Sequence, residues 1–213
     1  MKLDNHAMRL YAVTDRAWVG EKTLYEQVEE AIRGGATCVQ LREKQLDRAA
    51  FLAEARQIAS LCKAHGVPFI INDDLDIALA CGADGVHVGQ DDMPAAEVRR
   101  RAGRDLIVGV SAHNPAEARK AAADGADYLG AGAVFGTTTK SNVTPLSHQG
   151  LKGICDAVDI PVVAIGGINA RNLMELQGTG VDGVAVVSAL FGAGDIEAAA
   201  RHLRALSEKM TEE

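Results

Sequence analysis

Two stretches of the chain gather carboxylates at short spacing. Ile71-Asn72-Asp73-Asp74 closes one apolar run, and Gly89-Gln90-Asp91-Asp92 follows another. Mg²⁺ takes hard oxygen donors, commonly one or two carboxylates completed by phosphate oxygens of a substrate. Asp73 with Asp91 or Asp92 can supply them. The competing reading is structural: Asp91 or Asp92 caps a helix starting near Pro94, and Asp74 and Asp76 sit in a solvated first helical turn. A third stretch, Gln40-Leu41-Arg42-Glu43-Lys44, alternates donors with other residues. On an extended backbone Gln40, Arg42 and Lys44 point to one side and Leu41 to the other. Three donors, two of them cationic, suit a phosphate or diphosphate. A salt-bridged interior would use the same residues.

Thr137-Thr138-Thr139-Lys140 puts hydroxyls and an ammonium on one polar segment, again suited to an anion or to a flexible loop. Gly109-Val110-Ser111-Ala112-His113 lacks the last glycine of a nucleophile elbow, so Ser111 reads as a hydrogen-bonding residue for a ligand. His87 and His113 read as supporting or core histidines with no catalytic role. Gly130-x-Gly132 is followed by Phe135 where a dinucleotide fingerprint needs glycine, which removes that reading.

A repeated phrase indicates how these segments are positioned. It occurs as Gly35-Ala36-Thr37, Gly82-Ala83-Asp84-Gly85, Gly125-Ala126-Asp127-Tyr128 and Gly180-Val181-Asp182-Gly183. Each copy follows an Ala-rich amphipathic stretch and precedes a short apolar run. Glycine suits the left-handed residue after a helix, and short Val/Ile-rich runs suit strands buried on both faces. Strands are predicted at 9–13, 38–42, 68–72, 85–88, 106–111, 128–133, 161–166 and 183–187. Helices are predicted at 24–33, 48–64, 95–102 and 115–124, with a last one from about 195 to 210. Eight alternating units predict an α/β fold, a closed (β/α)₈ TIM barrel formed by residues 1–213 as one domain. An open doubly wound sheet is the alternative.

In such a barrel the chemistry belongs at the C-terminal ends of the strands, where every polar segment above falls. Phosphate commonly binds between the loops after the seventh and eighth strands, at the start of a short extra helix. Gly166-Gly167 and Val187-Ser188 fall there, and Ser188-Ala189-Leu190-Phe191 can form that helix. Glycines let a phosphate approach the backbone; the same glycines would also serve a tight turn.

Composition narrows the partners. The chain of 213 residues has 22 Lys and Arg against 29 Asp and Glu, a net charge of −7, with 4% aromatics. That argues against nucleic acid, which needs a basic stripe or a stacking platform. No apolar run approaches the roughly 20 residues of a membrane helix, and no leader is visible, so the expected setting is cytoplasmic. Cys38, Cys62, Cys81 and Cys155 are too scattered for a Cys-x-x-Cys pair and read as buried free thiols. Phosphorylated small molecules are the expected partners. The oligomeric state is not legible.

The ordered set of segments resembles the thiamine-phosphate synthase family. Matching stretches are Leu10-Tyr11-Ala12-Val13-Thr14-Asp15, Val39-Gln40-Leu41-Arg42-Glu43-Lys44, Ile71-Asn72-Asp73-Asp74 and Gly85-Val86-His87-Val88-Gly89-Gln90-Asp91-Asp92. Gly109-Val110-Ser111-Ala112-His113, Thr137-Thr138-Thr139-Lys140, Ala164-Ile165-Gly166-Gly167-Ile168 and Val186-Val187-Ser188-Ala189 continue the series. The resemblance implies a Mg²⁺-dependent transferase. It would join 4-amino-2-methyl-5-pyrimidinylmethyl diphosphate to 4-methyl-5-(2-phosphoethyl)thiazole, giving thiamine phosphate and pyrophosphate. It implies that Gln40, Arg42, Lys44 and Asn72 hold the pyrimidine diphosphate and that Asp73 and Asp92 bind Mg²⁺. Ser111 would contact the pyrimidine and Lys140 the diphosphate. Thr137, Thr138 and Thr139, with Gly166, Val187 and Ser188, would hold the thiazole phosphate. Arg42, Lys44 and Lys140 would carry catalysis by stabilising the leaving group, with no protein nucleophile.

The chain departs from the family pattern at Phe135-Gly136-Thr137, where the family usually has Phe-Pro-Thr, and at Gly132-Ala133, where it usually has Gly-Pro. Ser147-His148-Gln149-Gly150 is an unusual approach to the next helix. Two other functions compete: a thiazole tautomerase of the same superfamily, and a non-catalytic barrel that binds thiamine phosphate.

Overall fold

The computed structural model describes residues 5–136 and 145–212. Eight parallel strands close in chain order into a barrel. They are β1 (Leu10–Val13), β2 (Cys38–Leu41), β3 (Phe69–Asn72), β4 (Gly85–Val88), β5 (Ile107–Ala112), β6 (Tyr128–Gly132), β7 (Val162–Ile165) and β8 (Gly183–Val186). The predicted strands are all present. Strands β2, β6, β7 and β8 end one residue earlier than predicted, and β5 is shifted one residue later. Val187 leaves the strand to start a short helix, so its backbone turns where extended structure was expected.

The helices are α1 (Leu24–Arg33), α2 (Arg48–His65), α3 (Leu75–Cys81), α4 (Ala95–Ala102), α5 (Pro115–Ala123), α6 (His148–Cys155), α7 (Ser188–Phe191) and α8 (Ile196–Thr211). A 3₁₀ turn, Leu173–Leu176, stands between β7 and β8. Side-chain caps set the starts of α1, α2, α3, α5, α6 and α8. Thr23 and Glu26 form a reciprocal capping box on α1, and Asn114 caps α5 with Pro115 in its first turn. Ser147 caps α6 through the Gly150 N–H, which accounts for the unusual Ser147-His148-Gln149-Gly150 segment.

Period-two alternation divides the apolar residues into two cores. Leu41, Val39, Ile71 and Val108 face outward against the helices. Tyr11, Val13, Cys38, Ile70, Ile107, Tyr128 and Val163 face inward and fill the barrel. The repeated phrase does more than turn the chain. Its polar residue clamps the strand before it: Thr37 Oγ1 accepts from the Leu10 N–H at 2.8 Å and Asp84 from Phe69 at 2.9 Å. Asp127 accepts from Val108 and Asp182 from Val162, each at 2.8 Å. The preceding glycines all have positive φ, from 71° at Gly82 to 107° at Gly35.

All four cysteines are free; Cys38 and Cys62 are buried, while Cys81 and Cys155 are only half-buried, less than the sequence led one to expect. Among the described residues no helix is long and apolar enough to cross a membrane.

Candidate active site

A cavity of about 410 Å³ opens at the C-terminal ends of the strands. One wall carries Gln40, Arg42, Lys44, Asn72, Asp73 and Asp92. Ser111 lies on its floor, and Gly166, Val187 and Ser188 line the opposite wall. The fold therefore brings together every described residue that the sequence placed at the site. Thr137, Thr138, Thr139 and Lys140 lie outside the described residues.

The cationic wall is held by acidic partners. Arg42 Nη1 donates to Asp15 Oδ2 at 2.8 Å, and the Arg42 N–H donates to Thr14 Oγ1 at 3.0 Å. Lys44 Nζ donates to Asp73 Oδ2 at 2.5 Å and remains half exposed. Glu43 points the other way. Its Oε1 accepts from the backbone N–H groups of Lys44, Gln45 and Leu46, and its Oε2 from Arg16 Nε at 2.6 Å. This buried carboxylate sets the bend that presents Lys44 to the cavity. The alternation in the pentad thus has two purposes, one outward and one inward.

Asp73 is the one described non-glycine residue with positive φ, 65°. Such a backbone is costly for most residues and tolerable for Asp, and it is typical of functional positions. Burial pushes the Asp73 carboxyl above its ordinary range; Lys44 pulls it down, and the adjacent Asp92 carboxylate pushes it up again. Two carboxylates crowded at the mouth of a cavity favour a cation between them. Among the described residues no three acidic, imidazole or thiol groups gather as a complete cage. The pair therefore suits a metal that completes its shell with substrate and water oxygens, as Mg²⁺ does.

The capping expectation is corrected. Helix α4 starts after Pro94 with no side-chain cap, and Asp92 Oδ2 instead accepts from the Gly89 N–H at 2.7 Å. The short Gly89–Asp92 loop folds back and turns Asp92 towards Asp73. Asp74 is the residue that caps, accepting from Ile77 N–H, and it pairs with Arg48.

On the opposite wall Gly166 and Gly167 have φ of 107° and 66°. A Cβ on Gly166 would lie 2.5 Å from the Ala133 Cβ, and one on Gly167 would strike the Gly136 carbonyl. Packing of the β6 loop therefore requires these glycines, besides any phosphate. Helix α7 begins at Ser188 without a side-chain cap, leaving backbone donors at the rim.

Sequence reasoning missed the barrel floor. Gln40 Nε2 donates to Tyr11 Oη at 2.8 Å, and Tyr11 Oη lies 2.8 Å from Tyr128 Oη. His87 Nδ1 is 2.9 Å from Tyr128 Oη, and its Nε2 is 3.0 Å from Ser111 Oγ. The inward parity of Tyr11, Gln40, His87, Ser111 and Tyr128 was readable; which of them meet at one level depends on how the sheet closes. The other expected supporting residue, His113, bonds Glu117 at 2.9 Å instead.

Residues 10–190 match the sequence family described as thiamine monophosphate synthase. A thiamine-phosphate synthase from Chloroflexus aurantiacus is 52% identical over 93% of this chain and 92% of its own length. One from Clostridium acetobutylicum is 47% identical over 93% of this chain and 94% of its own. In structure, the thiamine phosphate pyrophosphorylase from Pyrococcus furiosus superposes with a TM-score of 0.89 at 39% identity, covering 98% of this chain and 99% of that one. On this evidence the chain belongs to the thiamine monophosphate synthase family.

Proposed function

We propose that this protein is a thiamine-phosphate synthase that needs Mg²⁺ and works on two phosphorylated small molecules in the cytoplasm. It would condense the aminopyrimidine methyl diphosphate with the thiazole phosphate. Family membership supports the reaction, and no observation favours the tautomerase or the non-catalytic binder. The observation that carries the site assignment is the Asp73–Asp92 pair, with Lys44 2.5 Å from Asp73 and Arg42 on the same wall.

In this reading the CH₂–O bond of the diphosphate breaks, and the bonding electrons leave with pyrophosphate. The thiazole nitrogen then attacks the methylene carbon of the pyrimidine-stabilised cation. Gln40, Arg42, Lys44 and Asn72 hold the diphosphate substrate, and Ser111 contacts its ring. Asp73 and Asp92 would hold Mg²⁺, which when bound supplies positive charge against the departing pyrophosphate. Lys44 and Arg42 act in the same sense through their own charge, exchanging Asp73 and Asp15 for phosphate oxygens. Lys140 would add a third cation. Gly166, Val187, Ser188 and Thr137, Thr138 and Thr139 orient the thiazole phosphate, so that attack is intramolecular in effect.

A single-turnover assay with both substrates, with and without Mg²⁺, tests the proposal. Stoichiometric thiamine phosphate and pyrophosphate that appear only with the metal are expected. Isomerised thiazole with no coupled product would establish the tautomerase, and binding without chemistry would establish the sensor.

A further inference from the structure

The floor of the cavity contains four hydrogen bonds in series: Gln40 to Tyr11, Tyr11 to Tyr128, Tyr128 to His87, and His87 to Ser111. The series spans strands β1, β2, β4, β5 and β6. Space for it is built in. A Cβ on Gly109 would collide with the Tyr128 ring, and one on Gly130 would crowd His87 Cε1 at 3.1 Å. Both tyrosines are fully buried. Burial holds both phenols well above their ordinary range, so each keeps its single proton.

One proton per hydroxyl gives the series a direction. The Gln40 amide nitrogen can only donate, so Tyr11 Oη accepts there. The Tyr11 proton then goes to Tyr128 Oη, because the neighbouring Cys38 sulfur is a weak acceptor by comparison. The Tyr128 proton must go to His87 Nδ1. His87 is thereby fixed as the neutral tautomer with its proton on Nε2, and that proton points at Ser111 Oγ. The Ser111 oxygen is occupied as an acceptor, so its own proton is free to point into the cavity. Reversing the series would leave the buried Tyr11 proton without a good acceptor.

We propose that Tyr11, Tyr128 and His87 are positioning residues that fix Ser111 as a hydrogen-bond donor and Gln40 Oε1 as an acceptor towards the aminopyrimidine substrate. This rests on the synthase reading above. Bonding of the Gln40 amide nitrogen to Tyr11 turns that nitrogen towards the floor and leaves the carbonyl oxygen for a substrate N–H. Ser111 offers its O–H to an unprotonated ring nitrogen. An aminopyrimidine carries an amine beside such a nitrogen and meets both demands. The same ring with an exocyclic oxygen and a protonated ring nitrogen meets neither. The series would thus select the amino form of the heterocycle.

Nitrogen NMR of histidine-labelled protein without substrate reads the polarity directly. The expected result is one His87 tautomer, bare at Nδ1 and protonated at Nε2, that becomes a mixture in Tyr128→Phe. Protonation at Nδ1 in the native protein would overturn the proposal and would mean that the Gln40 amide is turned the other way. A kinetic cycle tests the link to Ser111. His87→Asn keeps a group for Tyr128 but cannot reach Ser111. It is expected to lower kcat/KM for the pyrimidine diphosphate by about tenfold to a hundredfold, the cost of one mis-set buried hydrogen bond. KM for the thiazole phosphate should stay unchanged, and His87→Asn should cost nothing further in a Ser111→Ala background. His87→Gln, whose amide reaches the Nε2 position, should recover most of the loss. Additive losses, or equal losses for both substrates, would reduce His87 to a packing residue. The NMR arm needs no turnover, so it stands even if the synthase assay fails.

Discussion

Glu43→Gln perturbs the site through a residue that faces away from it. The Glu43 side chain is only 2% exposed, and its Oε2 meets Arg16 Nε at 2.6 Å. Its Oε1 holds three consecutive backbone N–H groups, at 2.7, 2.5 and 3.1 Å. Glutamine can keep the three backbone bonds through its carbonyl oxygen. Its amide nitrogen then faces the Arg16 guanidinium, donor against donor, so that bond is lost and the three backbone bonds lose their charge assistance. Hydrogen bonds to a charged group contribute about 1.5–3 kcal/mol each, and breaking a buried ion pair costs about 3–5 kcal/mol. Arg16 is a quarter exposed and keeps Glu54 at 2.6 Å, so the lower part of these ranges applies, about 2–3 kcal/mol. The pH dependence supplies a second check. Burial raises the Glu43 carboxyl, but the Gln45 and Leu46 N–H groups and Arg16 outweigh it, and the net shift is downward. A carboxyl depressed on folding stabilises the protein above its unfolded pKa of about 4.3 and loses that contribution as the pH falls through the folded value. Urea unfolding of both proteins should show the full gap at neutral pH and a shrinking gap in acid. An Arg16→Met partner completes a cycle that isolates the pair. Because the bend presents Lys44, turnover should fall as well. An unchanged urea midpoint at neutral pH, or a gap that persists undiminished in strong acid, would refute the reasoning.

Asp92→Asn should keep the fold and raise the Mg²⁺ concentration needed for half-maximal turnover at least about tenfold; an unchanged Mg²⁺ titration removes Asp92 from the metal site. Lys140→Ala should lower single-turnover rate by about 10²- to 10³-fold while leaving thiazole-phosphate affinity nearly intact; an unchanged rate removes Lys140 from the mechanism. Gly109→Ala drives a Cβ into the Tyr128 ring, so it should destabilise by about 1–3 kcal/mol and lower Tm by several degrees in calorimetry. Added salt should raise KM for the diphosphate more steeply than KM for the thiazole phosphate, because in the proposed assignment Arg42 and the half-exposed Lys44 would hold the diphosphate by charge and backbone donors would hold the other. Equal salt slopes would contradict that division.

What was legible in the sequence follows from locality. Strands β4 and helices α1 and α4 fall where apolar runs, capping residues and glycines put them, because each is decided within a few neighbouring residues. The wall of Gln40, Arg42 and Lys44 was legible for the same reason: period two is a property of one strand. The floor was not. Tyr11 and Tyr128 are 117 positions apart and meet only because the sheet closes with a particular stagger. The partners of the cations were likewise hidden. Arg42 meets Asp15, and Arg16 meets Glu43, between loops after different strands, and charge counting alone does not pair them. Capping of α4 by Asp91 or Asp92 stayed open as the alternative because acidic residues just ahead of Pro94 and an Ala-rich run resemble a cap, whereas in the fold the Gly89 N–H takes the Asp92 carboxylate.

The repeated phrase explains why the two ends of the barrel differ. Its four copies precede β2, β4, β6 and β8, and each ties down the first or second N–H of the odd-numbered strand before it. The fold is therefore a fourfold repetition of a two-strand unit, and the repetition is concentrated at the N-terminal end. A clamp that uses one Asp or Thr per pair of strands satisfies backbone donors that closure would otherwise bury unpaired. Repetition is possible there because each copy solves the same problem. At the other end no two strands end alike: Gln40 with Arg42, Asn72 with Asp73, His87, Ser111, then glycines at 130, 132, 166 and 167. Ligand atoms have no fourfold symmetry, so each strand end must answer a different donor, acceptor or charge. The cations gather on one side and the glycines and uncapped helix on the other, which matches one substrate with a charged leaving group and a second that only needs to be held. Stability is thus written as a repeat and chemistry as its breakdown, which is why the departures from the phrase, more than the phrase itself, mark the residues to mutate.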